Sequence, residues 1–370
     1  MRKAAGIFIL LISCLVLFTA MNRSFINGLK QDRYFDHLGT GNTGKNGWYH
    51  RLFIRSDRWA YGDLYGQSFL HPYKNKLAPF TNYPYNKTKA LTNRVLYIIG
   101  DSFLADKTLT SAFKSFDNVQ YLDRRFAFGP ITLDSTKQNY LLLEFAERNL
   151  VGYSLDSTQE TRWTAADIKA RYHLGVKNPQ VADNNFKPDP IWARINKVVF
   201  NKDLSRNLEL LLFDDKLFTP LKELKASLNY SLFKRLPKEV AVSTDKKRLL
   251  MNITVDTAST QSAFRAKTDL DIIKLADNIA EAKAYYRSLG FKEIYLSVIP
   301  NPVSVYDSHR TPYNHLLQRV EKRVSPLISV YDTYRSSPAN MYYISDSHWN
   351  PLGFDTWVKK ADSVFNASVH

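Results

Sequence analysis

Two short segments hold the residue types that acyl-transfer chemistry needs. The first is Gly100-Asp101-Ser102-Phe103, directly after an apolar run; the second is Ser345-Asp346-Ser347-His348, close to the C-terminus. A serine hydroxyl is a weak nucleophile until a base takes its proton, and an imidazole base works best when a carboxylate fixes its orientation. Asp and His two residues apart on an extended loop project to the same side, so Asp346 can hold one ring nitrogen of His348 while the other faces Ser102. Taken singly, residues 100–103 also fit an ordinary strand-to-helix turn with Asp101 or Ser102 as N-cap, and His348 also fits a capping or packing role. Asp307-Ser308-His309 repeats the tripeptide, but it precedes Arg310-Thr311-Pro312 and reads as a solvated loop before a helix.

The elements that must position these residues follow from periodicity. Val95 to Ile99 is a continuous apolar run bounded by Gly100, the pattern of a buried parallel strand. In an open α/β sheet ligands bind outside the carboxyl ends of the strands, where the Ser102 N–H could also face a developing oxyanion. The pattern predicts a helix over 103–115 and further strands at Val119–Leu122, Tyr140–Phe145, Ile294–Ile299 and Leu327–Tyr331. It predicts helices over 267–289, stopped by Gly290, over 311–322, and from Pro351 onward with Phe354, Trp357, Ala361 and Phe365 as the buried face. Strands alternating with helices imply an α/β fold, a parallel sheet covered on both faces. Residues 25–93 read as an irregular arm, with a turn at 62–66. Residues 151–265 interrupt the alternation and read as an insertion, a lid or partner-facing subdomain, with helix-like pieces such as 206–226.

The N-terminus bears on compartment. Residues 4–21 carry no charge and follow Arg2 and Lys3. About 20 apolar residues span a bilayer as a helix, and the basic flank holds the N-terminus inside. Phe18-Thr19-Ala20 puts a bulky residue where signal cleavage needs a small one. The apolar run continues past Leu11-Ile12-Ser13-Cys14, which argues against lipoprotein processing. The expectation is an uncleaved single-pass anchor over 1–24 and an extracytoplasmic, periplasmic-type domain; the two cleaved alternatives export the domain as well. Cys14 is the one cysteine, so no disulfide forms within a chain. The formal charge is +16; removing the two charges of Arg2 and Lys3 leaves +14 on the rest. Such a balance favours anionic partners, but no basic run with interleaved aromatics points to nucleic acid. The 8 histidines lack paired ligand spacing and no Gly-rich phosphate loop occurs, so neither a metal nor a cofactor is expected.

GDSF after a strand, with a C-terminal Asp-x-His, resembles the SGNH/GDSL hydrolases. DSHWNPLG at 346–353, IPNPVSVY at 299–306 and LLLEFAERNL at 141–150 resemble the branch containing the alginate O-acetyltransferase proteins and the DHHW family. The likeness covers residues 94–150 and 267–366. It implies a three-layer α/β/α flavodoxin-like domain over 94–366 with Ser102, Asp346 and His348 as its triad. It further implies an acyl-Ser intermediate and a transferase or esterase acting on O-acetyl groups of a cell-surface or exported polysaccharide. The implied partners are that glycan and a membrane-embedded acyl-donor protein. Two features depart from the pattern. The Asp-x-His segment follows the serine, as in ordinary GDSL enzymes, yet its spacing is two where theirs is usually three. Their Gly-x-Asn-Asp block, whose Asn supports the oxyanion, is replaced by Glu147-Arg148-Asn149. Oxyanion donors are then expected from the Ser102 N–H and from Arg148 or Asn149, with an ion pair to Glu144 or Glu147 as the alternative for Arg148. The rival from another class is a non-catalytic glycan-binding or assembly protein on the same fold.

Overall fold

A computed structural model of the chain describes residues 2–22, 25–26, 56–86, 91–105, 107–124, 133–155, 190–192 and 204–367. Much of the expected arm and the first half of the expected insertion, including 27–55 and 156–189, lie outside the described residues. The chain divides into two compact units, Met1–Lys76 with Asn184–Pro237, and Leu77–Asp183 with Lys238–His370.

In chain order the described elements begin with helices α1 (Arg2–Met21) and α2 (Asp63–Ser68) and strands β1 (Arg94–Gly100), β2 (Asn118–Asp123) and β3 (Gln138–Ala146). Helices α3 (Glu147–Leu150), α4 (Leu204–Phe213) and α5 (Thr219–Phe233) follow, then strands β4 (Val240–Val242) and β5 (Leu249–Met251). The last part holds α6 (Asp269–Ser288), β6 (Glu293–Ile299), α7 (Pro302–Tyr306), α8 (Leu316–Glu321), β7 (Leu327–Ser329), α9 (Tyr331–Ser336) and α10 (Pro351–Ala367).

The second unit is an α/β body around a five-stranded sheet of order β2-β1-β3-β6-β7, parallel throughout. Alternation along each strand sends side chains to two cores. Val95, Tyr97, Leu141, Leu143, Ile294 and Leu296 pack beneath α6 and α8, which contribute Ile272, Leu275, Ile279 and Leu317. Leu96, Ile98, Tyr140, Leu142 and Tyr295 pack against α10, whose Phe354, Trp357, Ala361 and Phe365 are fully buried. Each large side chain buried this way contributes about 1.5–3 kcal/mol, so these four positions anchor α10 on the sheet. Helix α6 starts at a capping box, in which the Thr268 side chain accepts from the Asp271 N–H and Asp271 accepts from the Thr268 N–H. It ends beside Gly290, whose φ of 110° suits a residue without Cβ. A two-stranded antiparallel hairpin, β4–β5, lies in the part of the chain expected as insertion.

The first unit holds α1, whose apolar side chains are mostly exposed rather than packed in protein; it is long and apolar enough to cross a membrane. Its last turn is tied to α4, where Asn207 Nδ2 donates to the Ala20 carbonyl at 2.9 Å and Leu210 and Leu211 pack with Ala20 and Ile26.

Several sequence expectations need correction. Residues 103–115 form turns rather than a helix among the described residues. Their backbone is engaged elsewhere: Tyr83 N–H donates to Thr108 O at 2.9 Å and Ser111 N–H donates to Tyr83 O at 3.1 Å. The turn expected at 62–66 is helix α2, which buries Leu64 and Tyr65. The helix-like stretch 206–226 is two helices, broken where Asp214 pairs with Arg58 at 3.0 Å and Asp215 caps the Leu217 N–H at 2.8 Å. The helix expected over 311–322 is confined to α8, and α7 begins at Pro302, after Pro300 and its N-cap Asn301. The strand expected to reach Tyr331 stops at Ser329, and Tyr331 opens α9.

Candidate functional site

Strand β1 delivers the nucleophile candidate. It ends at Gly100, and the chain turns at once through Asp101 and Ser102. Gly100 is dictated by space, because a Cβ there would lie 2.7 Å from Glu144 Oε2 and 3.1 Å from the Tyr121 ring. Asp101 is buried and knots the turn together. Its Oδ1 accepts from the Phe103 N–H at 3.0 Å, and its Oδ2 accepts from the Ala146 N–H at 2.9 Å and from Asn149 Nδ2 at 2.8 Å. Its own N–H donates to Glu144 Oε2 at 2.8 Å, and Tyr121 OH donates to its carbonyl at 2.5 Å. The ends of β1 and β3 are thereby locked side by side. The strand order reverses between these two strands, which is where open α/β sheets form their binding crevice.

The C-terminal segment brings the second half. Tyr342 bridges Trp349 in antiparallel fashion, and Asn350 N–H donates to Met341 O at 3.0 Å, closing a tight loop around residues 343–348. Within it Asp346 Oδ1 accepts from the His348 backbone N–H at 2.8 Å and from His348 Nδ1 at 2.7 Å. A carboxylate only accepts, so the Nδ1 proton is fixed there and Nε2 is left with its lone pair. Nε2 lies 2.8 Å from Ser102 Oγ, the geometry of a hydroxyl donating to an imidazole. The imidazole is tilted against the Phe103 ring at 4.9 Å, with Trp349 edge-on to Phe103 at 5.2 Å. Asp346 is fully buried and His348 nearly so, whereas Ser102 is half-buried.

The structure thus joins Ser102, His348 and Asp346 in one hydrogen-bonded line. The rival tripeptide does something else. Asp307 is buried, accepts from the Thr244 N–H and pairs with Arg310 Nε at 2.8 Å, while the His309 side chain is exposed. Of the two donor candidates after β3, Asn149 directs its amide to Asp101. Arg148 is buried, with its guanidinium 5.5 Å from the Phe103 ring centre and Nη1 without a hydrogen-bond partner among the described residues. No ion pair joins Arg148 to Glu144 or Glu147 among the described residues.

Sequence reasoning named Glu144 and Glu147 only as candidate ion-pair partners of Arg148 and did not foresee them as buried carboxylates behind the site. Burial pushes the Glu144 carboxyl well above its ordinary range, reinforced by the charge of Asp101 and opposed by the Asp101 N–H, Arg124 and Arg148. Burial also raises Glu147 to about 7, against hydrogen bonds from Ser304 Oγ at 2.6 Å and Asn301 N–H at 2.7 Å. The available signal was a lone Glu in the otherwise apolar Leu141–Ala146. No family model matches the chain, and neither does any curated protein or solved structure.

Proposed function

We propose that the chain is a serine acyltransferase or esterase that removes or transfers O-acetyl groups of a cell-surface or exported polysaccharide through an acyl-Ser102 intermediate. The observation that carries this reading is the line from Asp346 through His348 to a half-buried Ser102 at the sheet's carboxyl edge. His348 Nε2 takes the Ser102 Oγ proton as Oγ bonds to the ester carbonyl carbon. The tetrahedral intermediate collapses, the C–O bond to the alcohol breaks, and His348 returns the proton to the leaving oxygen. A sugar hydroxyl or water then attacks the acyl-serine, its proton passing to Nε2 and on to Ser102 Oγ. General-base help of this kind contributes roughly 10²–10⁴-fold. The Ser102 N–H is the backbone donor to the oxyanion, and Arg148, whose Nη1 has no hydrogen-bond partner among the described residues, is the side-chain donor; each such donor is worth on the order of 10²–10³-fold.

The strand order is that of flavodoxin-like sheets, which agrees with the SGNH reading. The positive balance of the chain suits an acidic polymer. The packing of Ala20 and Ile26 against α4 supports a retained anchor, because cleavage near Ala20 would strip a buried contact from the folded unit. An anchor would keep the enzyme beside a membrane-embedded acyl donor and raise its effective concentration. The test is to expose the protein to a small activated acetyl ester and weigh it intact. An acetyl adduct on Ser102, absent from Ser102→Ala, is the expected result. No adduct at any pH, with glycan binding intact in Ser102→Ala, would replace this reading with the non-catalytic glycan-binding one.

A further inference from the structure

Helix α5 is built inside out. Its outward face carries Leu221, Leu224, Leu228 and Leu232, spaced as one helical face and 48% to 68% exposed. Its inward face carries Glu223, whose carboxylate accepts from Tyr65 OH at 2.5 Å and Lys74 Nζ at 2.7 Å and lies 2.9 Å from His71 Nδ1. Burial pushes that carboxyl up, but the hydrogen bonds from Lys74, Tyr65 and His71 outweigh it and hold it below the usual carboxylate range. Three bonds to one carboxylate fix the roll of the helix, so the leucines have no route inward. Phe213 and Leu217, just before α5, are exposed as well. A contiguous apolar face of this kind marks an interaction surface.

What covers it follows from its neighbours within the same unit. Lys222 of α5 pairs with Glu209 of α4 at 3.1 Å. The next residues, Leu210 and Leu211, pack on Ala20 and Ile26, and Asn207 holds the Ala20 carbonyl. The leucine face is therefore fixed, through a single helix, to the last turn of α1, the segment long and apolar enough to cross a bilayer. Exposed Lys225, Lys234 and Arg235 border the leucines, where their stems can lie along apolar chains and their charges can reach lipid phosphates. A helix with one apolar face and basic flanks binds in the interfacial plane of a membrane.

We infer that the outward face of α5 lies on the phospholipid surface from which α1 emerges, so that the first unit grips the membrane by a crossing helix and a second helix lying flat. The inference rests on the reading of α1 as a retained anchor, and its test separates the two. The full chain is reconstituted into phosphatidylethanolamine–phosphatidylglycerol vesicles that contain nitroxide-bearing lipids. A small fluorophore is attached to Cys14, the exposed native cysteine. In a Cys14→Ser background it is attached instead at Leu221→Cys, Leu224→Cys, Leu228→Cys or, on the opposite and half-buried face, Ala226→Cys. The expected result is strong quenching of the Cys14 probe by deep nitroxides. The probes at 221, 224 and 228 should be quenched several-fold more by shallow nitroxides than the probe at 226, and shielded from aqueous iodide. If the Cys14 probe is quenched but the three leucine sites are open to iodide, the face is in water and the inference fails. If those sites are shielded from both quenchers, protein covers them, and it fails as well. A Cys14 probe untouched by lipid quenchers would instead remove the anchor reading.

Discussion

Asp346 Oδ1 receives two donors from one residue, the backbone N–H and the Nδ1–H of His348. Asp346→Ala removes both the orientation and the charge that stabilises the imidazolium, so the rate of Ser102 acylation should fall by about 10²–10⁴-fold, the scale of general-base help. Asp346→Asn should lose less. The backbone N–H selects the amide oxygen, the Nδ1–H tautomer survives, and only the charge is lost. Pre-steady-state acetylation of the three proteins gives the order; equal rates would remove Asp346 from the relay. At Gly100 the constraint is steric. Gly100→Ala forces a methyl against Glu144 Oε2 and Tyr121, an overpacking that should cost about 1–3 kcal/mol in urea-induced unfolding. Ser102, Asp346 and His348 were legible because each pair of neighbours in the chain carries its own turn or loop chemistry. Glu144 and Tyr121 were not, because their role is to meet Asp101 across three different strands or strand ends.

Among the elements, β1 could be read from an unbroken apolar run, β3 and β6 from runs broken only by Glu144 and Ser297, and α6 and α10 from helical spacing with a Gly stop or a Pro start. The failures have a common cause. Residues 103–115 have apolar positions that suit a helix, but Tyr83 takes backbone bonds the helix would need. Helix α3 carries a testable electrostatic consequence. Glu147, at its start, is raised by burial from the ordinary 4.5 to about 7. A carboxyl with a raised folded pKa keeps its proton in the native state while the unfolded chain loses it. Its contribution to stability is therefore full below about pH 4.5 and is lost as pH rises through about 7. At 1.36 kcal/mol per pKa unit this is of order 3 kcal/mol at most. Urea midpoints should fall between about pH 5 and pH 8, and Glu147→Gln should make that fall shallower. It should not abolish it, since Glu144 is pushed in the same direction. A wild-type profile that is flat, or one that rises with pH in this window, would show that Glu147 is ionised in its buried site.

For the whole molecule, the charge-free run 4–21 and its basic flank predict the side of the membrane on which the sheet unit sits. A reporter fused after His370 should be active outside the cytoplasm and sediment with membranes; cytoplasmic activity would refute export and the function built on it. Short-range physics was enough to write the apolar helix α1, the parallel strands, the capped α6, and two local motifs with the residue types of acyl transfer into the chain. Contacts between distant segments were needed to choose which histidine serves Ser102. Asp307-Ser308-His309 and Asp346-Ser347-His348 are the same tripeptide, but burial, the Thr244 N–H and Arg310 claim Asp307, whereas the hairpin of Tyr342 and Trp349 carries His348 to the carboxyl edge of β1. Such contacts equally turn the polar side of α5 in and its leucines out, because Glu223 has its partners in Tyr65, His71 and Lys74, about 150 residues away in sequence. Local patterns specify what a segment can form. Which of its faces is satisfied, and by whom, is a property of groups that meet only when the chain is folded.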